Sequence, residues 1–280
     1  MIEYMERVIV FGGNGFVGSE IVRQLKIKQF NVYTADKGET ENKNISVDIT
    51  NKKSVYKAIN LGDIVINLVG LTPTKKPRGV SYEDIHVKGV KNVVDICKKK
   101  KCRLIHMSAL GANPKGKTEY IRTKGLGEGI VLSSGLNVTV FCPAIIYDKD
   151  NELIKVMKKM SFFRFFPKIK AKMQPVFRGD IAKLYVLAVQ GKIIEKKLEV
   201  GGPEILTIFE IAKLVFKNLG KSCYPLHPLF VKSGMYFANF FGLFGIGNDQ
   251  ITNLSLDNTT KVKQKYVNMK RFSEWVKGLR

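Results

Sequence analysis

Short β-branched and aliphatic runs alternate with longer stretches of helical period through the first 150 residues. Arg7–Phe11 (RVIVF) is apolar after its first residue, the pattern of a strand covered on both faces, and a glycine-rich segment follows it. Phe16, Val17, Ile21, Val22 and Leu25 then recur at helical spacing and predict a helix. Asn31–Ala35 predicts a second strand, Ile45–Val47 a short third, Lys53–Ile59 a helix, and Asp63–Val69 a fourth strand. After a proline-containing loop at 71–79, Val80–Cys97 places Ile85, Val90, Val93, Val94 and Cys97 at helical intervals and predicts one long helix. Arg103–Met107 predicts a fifth strand, residues 118–133 a helix, and Leu136–Phe141 a sixth strand. This alternation predicts an α/β architecture, a doubly wound parallel sheet over residues 1–145.

Beyond that point the pattern loosens. Glu152–Met160 and Asp180–Val189 have helical spacing, Lys197–Val200 suits a strand, and Thr207–Leu219 suits a helix with Thr207 as its N-cap. Residues 146–280 therefore predict a smaller C-terminal cap for substrate, with some elements returning to the sheet. Residues 229–246 are strongly apolar, interrupted by Lys232 and three glycines.

A length of 280 residues, 45% hydrophobic and 25% charged, is that of an ordinary globular chain, and the absence of tandem repeats excludes solenoid and collagen-like folds. Four widely placed cysteines and three histidines form no zinc-binding spacing, so no metal is expected. No stretch reaches the length of a bilayer-spanning helix, and Glu3, Glu6 and Arg7 run straight into the first strand. The expectation is a cytoplasmic chain, free or peripheral to a membrane. Net charge is +23, with 24 basic against 15 acidic residues in 1–150 and 23 against 9 in 151–280. Such a field concentrates anions of any kind: a phosphorylated substrate, a nucleic acid or an acidic lipid surface. No nucleic-acid motif accompanies it, so nucleic acid is not an expected partner.

Chemistry concentrates in four places. Val8–Gly18 (VIVFGGNGFVG) puts Gly12, Gly15 and Gly18 at three-residue steps between a buried strand and a helix, with Gly13, Asn14, Phe16 and Val17 in the same loop. There, bare backbone and helix N–H groups suit a dinucleotide's phosphates. Asp36, at the end of the second strand, can accept from both ribose hydroxyls and repel a 2′-phosphate, which favours NAD, whereas Lys37 beside it would soften that exclusion and leave NADP as the alternative. Asp48, followed by Ile49, is placed either to meet an adenine or to sit in a solvated loop. Tyr120 and Lys124 are one helical turn apart, so the ammonium is expected to favour the phenolate, and Ser108, just past the fifth strand, can donate to the same substrate oxygen.

Together with Asn67-Leu68-Val69-Gly70, these residues resemble the short-chain dehydrogenase/reductase superfamily, in its extended or atypical epimerase-like branch. Five strings, HVKGVKNV (86–93), LIHMSALGA (104–112), YIRTKGLGE (120–128), QPVFRGDIA (174–182) and VGGPEILTIFEIA (200–212), look most like the group related to the Rossmann-type accessory subunit of respiratory complex I. The resemblance covers nearly the whole chain. It implies a Rossmann domain holding NAD(P), with Tyr120 as proton donor or acceptor, Lys124 on the nicotinamide ribose, Ser108 polarising the substrate oxygen, and Leu68, Val69, Gly70, Pro143 and Ala144 around the cofactor. Many extended members carry asparagine where this chain has His86, and His86 matches the complex I-related group, in which the cofactor is a structural ligand.

Two functions follow from this reading. One is an oxidoreductase, or an epimerase or dehydratase, acting by hydride transfer on a carbonyl, alcohol or nucleotide-linked sugar. The other is a non-catalytic accessory or assembly protein of a respiratory or membrane-associated complex. The basic, aromatic segment 155–178, with eight basic residues and no acidic one, suits either an anionic substrate or an anionic membrane surface. A homodimer is also compatible with the sequence.

Overall fold

The computed structural model describes residues 6–38, 44–72, 79–226 and 252–279; the apolar stretch 229–246 lies outside them. In chain order the first elements are β1 (Arg7–Phe11), α1 (Gly18–Ile27), β2 (Asn31–Asp36), β3 (Asn44–Ser46), α2 (Lys52–Ala58), β4 (Ile64–Asn67), a π-helical segment (Asp84–Gly89), α3 (Val90–Lys99), β5 (Arg103–Met107), α4 (Glu119–Leu132) and β6 (Val138–Pro143). They are followed by β7 (Ile146–Tyr147), α5 (Glu152–Met160), β8 (Phe165–Pro167), β9 (Lys172–Met173), β10 (Val176–Phe177), α6 (Arg178–Val189), β11 (Lys197–Val200), β12 (Leu206–Thr207), α7 (Ile208–Asn218), β13 (Tyr224–Leu226) and α8 (Phe272–Trp275).

The described residues divide into two compact units, one lying within 6–72, 79–143 and 179–199, the other within 144–178 and 200–279. The first is built on a seven-stranded sheet of order β11-β6-β5-β4-β1-β2-β3, whose pairs from β6 through to β3 are parallel. β4 and β6 are buried along their whole length, as their largely apolar runs require of central strands. Lys197–Val200 does return to the sheet, as its far edge beside β6. The order reverses between β1 and β4, the position at which doubly wound sheets leave a crevice at their carboxyl ends.

One predicted element differs. Val80–Cys97 is not a single regular helix: residues 84–89 form π-helical turns before α3 begins. The wider turn coincides with a close approach, since a β-carbon on Gly127 of α4 would stand 2.1 Å from the His86 carbonyl oxygen. Apolar spacing alone does not report such a bulge.

The second unit packs around Tyr147, Leu153, Met157, Phe166, Met173, Ile208, Phe216 and Phe272, all buried. Its clearest local signal is at α7. The Thr207 hydroxyl accepts from the Glu210 N–H at 3.1 Å and the Glu210 carboxylate accepts from the Thr207 N–H at 2.7 Å, a reciprocal capping box. Thr207→Ala removes the hydroxyl half of that box and is expected to lower stability by about 1 kcal/mol, read from urea unfolding of the full chain.

Candidate functional site

The glycine loop is shaped by contacts that leave no space for side chains. Gly12 has φ +78°, in the left-handed region, and a β-carbon there would press on the Val69 nitrogen at 3.2 Å. One on Gly18 would lie 2.1 Å from the Gly12 carbonyl oxygen, so α1 can start against β1 only with glycine there. Gly13 is buried against Thr34, while Asn14 and Gly15 are exposed and Phe16 and Val17 half-buried at the mouth of α1. The Asn14 N–H donates to the Asp36 carboxylate at 3.2 Å, fixing the loop to the end of β2. Burial raises the Asp36 pKa above its ordinary value, partly opposed by that hydrogen bond.

Lys37 does not stand over this carboxylate as a free charge, because its ammonium pairs with Asp48 at 2.9 Å. Asp48 also accepts from the Thr50 hydroxyl at 2.6 Å and the Thr50 N–H at 2.9 Å; the hydroxyl contact is the main cause of its lowered pKa. Ile49 is buried in the core of the first unit. At the exit of β4, the Leu68 N–H donates to Phe11 O, the Val69 N–H to the Asn67 side-chain oxygen, and Gly70 is exposed. Pro143 closes β6 at the same carboxyl edge, its carbonyl accepting from Leu110 N–H at 2.9 Å. Ala144 is buried at the start of the second unit and donates to Val200 O.

Tyr120 and Lys124 lie on α4, which Thr118 caps through the Ile121 N–H. Lys124 is buried, and its ammonium donates to the carbonyl of Met107 at 2.6 Å, one residue before Ser108. Burial brings its pKa down to about 8, opposed by Cys142 and Glu128. The expectation that Lys124 would favour a Tyr120 phenolate is not met. Burial pushes the Tyr120 hydroxyl up to about 12, because losing water destabilises the phenolate.

His86, noted in the sequence only as a departure from its relatives, is central here. Its Nε2 accepts from the Leu71 N–H at 3.0 Å, which leaves the proton on Nδ1 to donate to the Thr123 hydroxyl at 2.9 Å; that hydroxyl donates in turn to Glu119 O at 2.8 Å. The relay ties the loop after β4 to α4. The ring also lies 5.7 Å from that of Tyr120 and 5.5 Å from that of buried Tyr82. Burial, assisted by the Lys124 ammonium, brings the His86 pKa down to about 3, so the imidazole is neutral. The spacing Tyr82-x-x-x-His86 was the available signal, since it puts both rings on one helical face. His106, on β5 and fully buried, is likewise held well below its ordinary value, first by burial and then by Lys124 and His86.

Three side-chain atoms from the carboxyl halves of adjacent strands have no hydrogen-bond partner although buried: Asn67 Nδ2, His106 Nδ1 and Ser108 Oγ. Buried polar atoms of this kind call for a bound group or water. A glycine loop that admits no side chains, a strand-end carboxylate and these orphaned atoms near a buried lysine form a donor set that fits a dinucleotide.

The neutral histidines set a pH dependence. The unfolded chain binds a proton on His86 below pH 6.5, whereas the folded chain resists it until about 3. Stability from this group is complete above 6.5 and falls as pH drops toward 3, by about 1 kcal/mol per pH unit. His106 adds a loss of the same sign. In urea unfolding between pH 6.5 and 5, His86→Asn is expected to lose roughly half of the wild-type slope; an unchanged slope would mean that His86 is charged in the fold.

Residues 8–128 match the NAD dependent epimerase/dehydratase family, a span running from β1 through Tyr120 and Lys124 on α4. Among curated proteins, the chain is 26% identical over 227 residues to the mitochondrial NADH-ubiquinone oxidoreductase 40 kDa subunit of Neurospora crassa, covering 76% of this chain and 60% of that one. It is 27% identical over 255 residues to the mouse mitochondrial NADH dehydrogenase (ubiquinone) 1 alpha subcomplex subunit 9, covering 84% and 66%. The chain thus spans less than two thirds of the length of these relatives. Among solved structures, the Thermus thermophilus UDP-glucose 4-epimerase complex with NAD is 21% identical with a TM-score of 0.64, over 79% of this chain and 85% of that one. The UDP-N-acetylglucosamine 4-epimerase from Bacillus cereus is 16% identical with a TM-score of 0.66, over 98% and 95%. The fold is that of these epimerases, and the resemblance to the epimerase-like short-chain dehydrogenases, nearest the complex I-related group, is borne out.

Proposed function

We propose that the chain holds NAD in the crevice of its first unit as a structural ligand and serves as an accessory component of a respiratory, complex I-like assembly, peripheral to the membrane. The observation that carries this reading is the His86 relay. It ties the loop after β4 to Thr123, between Tyr120 and Lys124 on α4, while the Tyr120 hydroxyl is held protonated near 12. A tyrosine in that state donates a hydrogen bond at neutral pH and resists giving up its proton. The similarity to two respiratory-chain subunits, over three quarters or more of this chain, supports the same role.

In this reading, the peptide groups from Gly12 to Gly18 take the phosphates, and Asp36 takes the adenosine ribose. Lys124 takes the nicotinamide ribose, and the strand ends at Leu68–Gly70 and Pro143 border the nicotinamide. The ion pair of Lys37 with Asp48 occupies the cation that a 2′-phosphate would need, which supports NAD over NADP.

A second reading, hydride-transfer oxidoreductase or epimerase chemistry with Tyr120 as general acid, rests on the Tyr120 and Lys124 pair and on the lysine's bond to the carbonyl preceding Ser108. A bound nicotinamide would supply the hydride; Tyr120 would supply the proton and Ser108 a hydrogen bond to the substrate oxygen.

Titration with NADH and NADPH tests the cofactor assignment. Asp36→Ala is expected to weaken NADH by about tenfold and NADPH by less. Turnover assays on carbonyl and nucleotide-sugar substrates, run beside Tyr120→Phe, separate the two readings. Activity lost in the variant establishes the enzyme, whereas tight NADH binding with no activity in either protein supports the accessory role.

A further inference from the structure

The turn that joins α5 to β8 exposes aromatic side chains where a chain ordinarily hides them. Phe162 is 77% exposed, Phe163 55% and Phe165 46%, and Tyr224, beside Phe165 on the paired strand β13, is 51% exposed. Among the described residues, no other phenylalanine is exposed. The neighbouring Phe166 points inward and is fully buried against Phe216, so the core has already taken what it needs from this segment.

The tip is held in shape. Arg164 takes φ +59°, a left-handed conformation that a non-glycine residue adopts at a cost of about 1–3 kcal/mol, and its carbonyl is fixed by the Tyr224 N–H at 2.8 Å. Phe162 and Phe163 meet edge to face at 5.3 Å, and Phe165 and Tyr224 lie 5.9 Å apart. The charged residues of the same described segments are basic. Lys155, Lys159, Arg164, Lys168 and Lys170 are exposed in the same segment, Lys217 is exposed at the end of α7, and Lys221 lies over the Phe162 ring at 5.9 Å. Neither 155–178 nor 211–226 contains an acidic residue.

We propose that this turn inserts its phenylalanines into the headgroup region of a membrane rich in acidic lipid, with the surrounding lysines and arginine on the lipid phosphates and carboxylates. Charge selects the surface. An acidic lipid layer offers continuous negative charge to a wholly basic rim, and its boundary region accepts aromatic rings that water does not. A projecting turn, unlike a groove, presents those rings to a soft surface without needing a shaped partner. The proposal does not depend on the cofactor reading, because every residue it uses belongs to the second unit.

Flotation of the full chain with vesicles tests it. Binding is expected to phosphatidylcholine vesicles carrying phosphatidylserine and not to phosphatidylcholine alone, with loss at high salt. Replacing Phe162, Phe163 and Phe165 together with serine is expected to weaken binding at least about tenfold while thermal unfolding and NADH binding stay unchanged. In Phe162→Trp, emission should shift to shorter wavelength on acidic vesicles relative to wild type, whose own Trp275 supplies the background. No flotation at low salt overturns the proposal. So does flotation that survives the serine variant with no emission shift, since charge alone would then account for it. Loss of NADH binding with flotation intact would sink the cofactor assignment and leave this one standing.

Discussion

Burying an ammonium beside two imidazoles constrains the first unit more than any other feature. Lys124 has no carboxylate within ion-pair distance among the described residues; its proton rests on the carbonyl of Met107, with Glu128 one turn further along α4. In so dry a place a second positive charge would be prohibitively expensive, so His86 and His106 remain neutral, while loss of water keeps the proton on Tyr120. Neutrality in turn fixes the tautomer of His86 and hence the relay from Leu71 to Thr123. The neutral imidazole of His86 thus ties the loop after β4 to α4, and the orphaned atoms of Asn67, His106 and Ser108 lie at the ends of the neighbouring strands.

Much of this was legible in the residues, and the reasons differ by element. The run RVIVF and the glycines at three-residue steps could specify only a strand, a tight turn and a helix, because a side chain at Gly18 would collide with the preceding backbone. Thr207 with Glu210 three residues on announced the start of α7 through purely local hydrogen bonds. The π-helical turns at 84–89 were not legible, since they coincide with the approach of Gly127 from a helix about 40 residues away in sequence. The state of Tyr120 was not legible for a related reason. Spacing shows that a lysine is near, but not how little water reaches the hydroxyl, and desolvation decided the sign.

Likeness of fold and likeness of sequence lead to different proteins. The nucleotide-sugar epimerases share its architecture at 21% identity or below, whereas the respiratory subunits share more of its sequence at 26–27%. The histidine that secures the loop after β4 stands in the same unit as the glycine turn and the strand-end aspartate.

The outer rim of the sheet carries a lesson for dissecting the molecule. β11 closes the edge beside β6 yet arrives more than fifty residues later, and its Lys197 clamps Glu128 at 2.6 Å, while the Arg103 guanidinium reaches carbonyls at the end of α6. A fragment cut near residue 145 would strip β6 of its neighbour and strand a half-dry carboxylate beside the Cys142 thiol. Severing the chain where its sequence pattern changes would thus damage the very half it was meant to isolate, because the piece that completes the seven-stranded sheet is encoded on the far side of the cut.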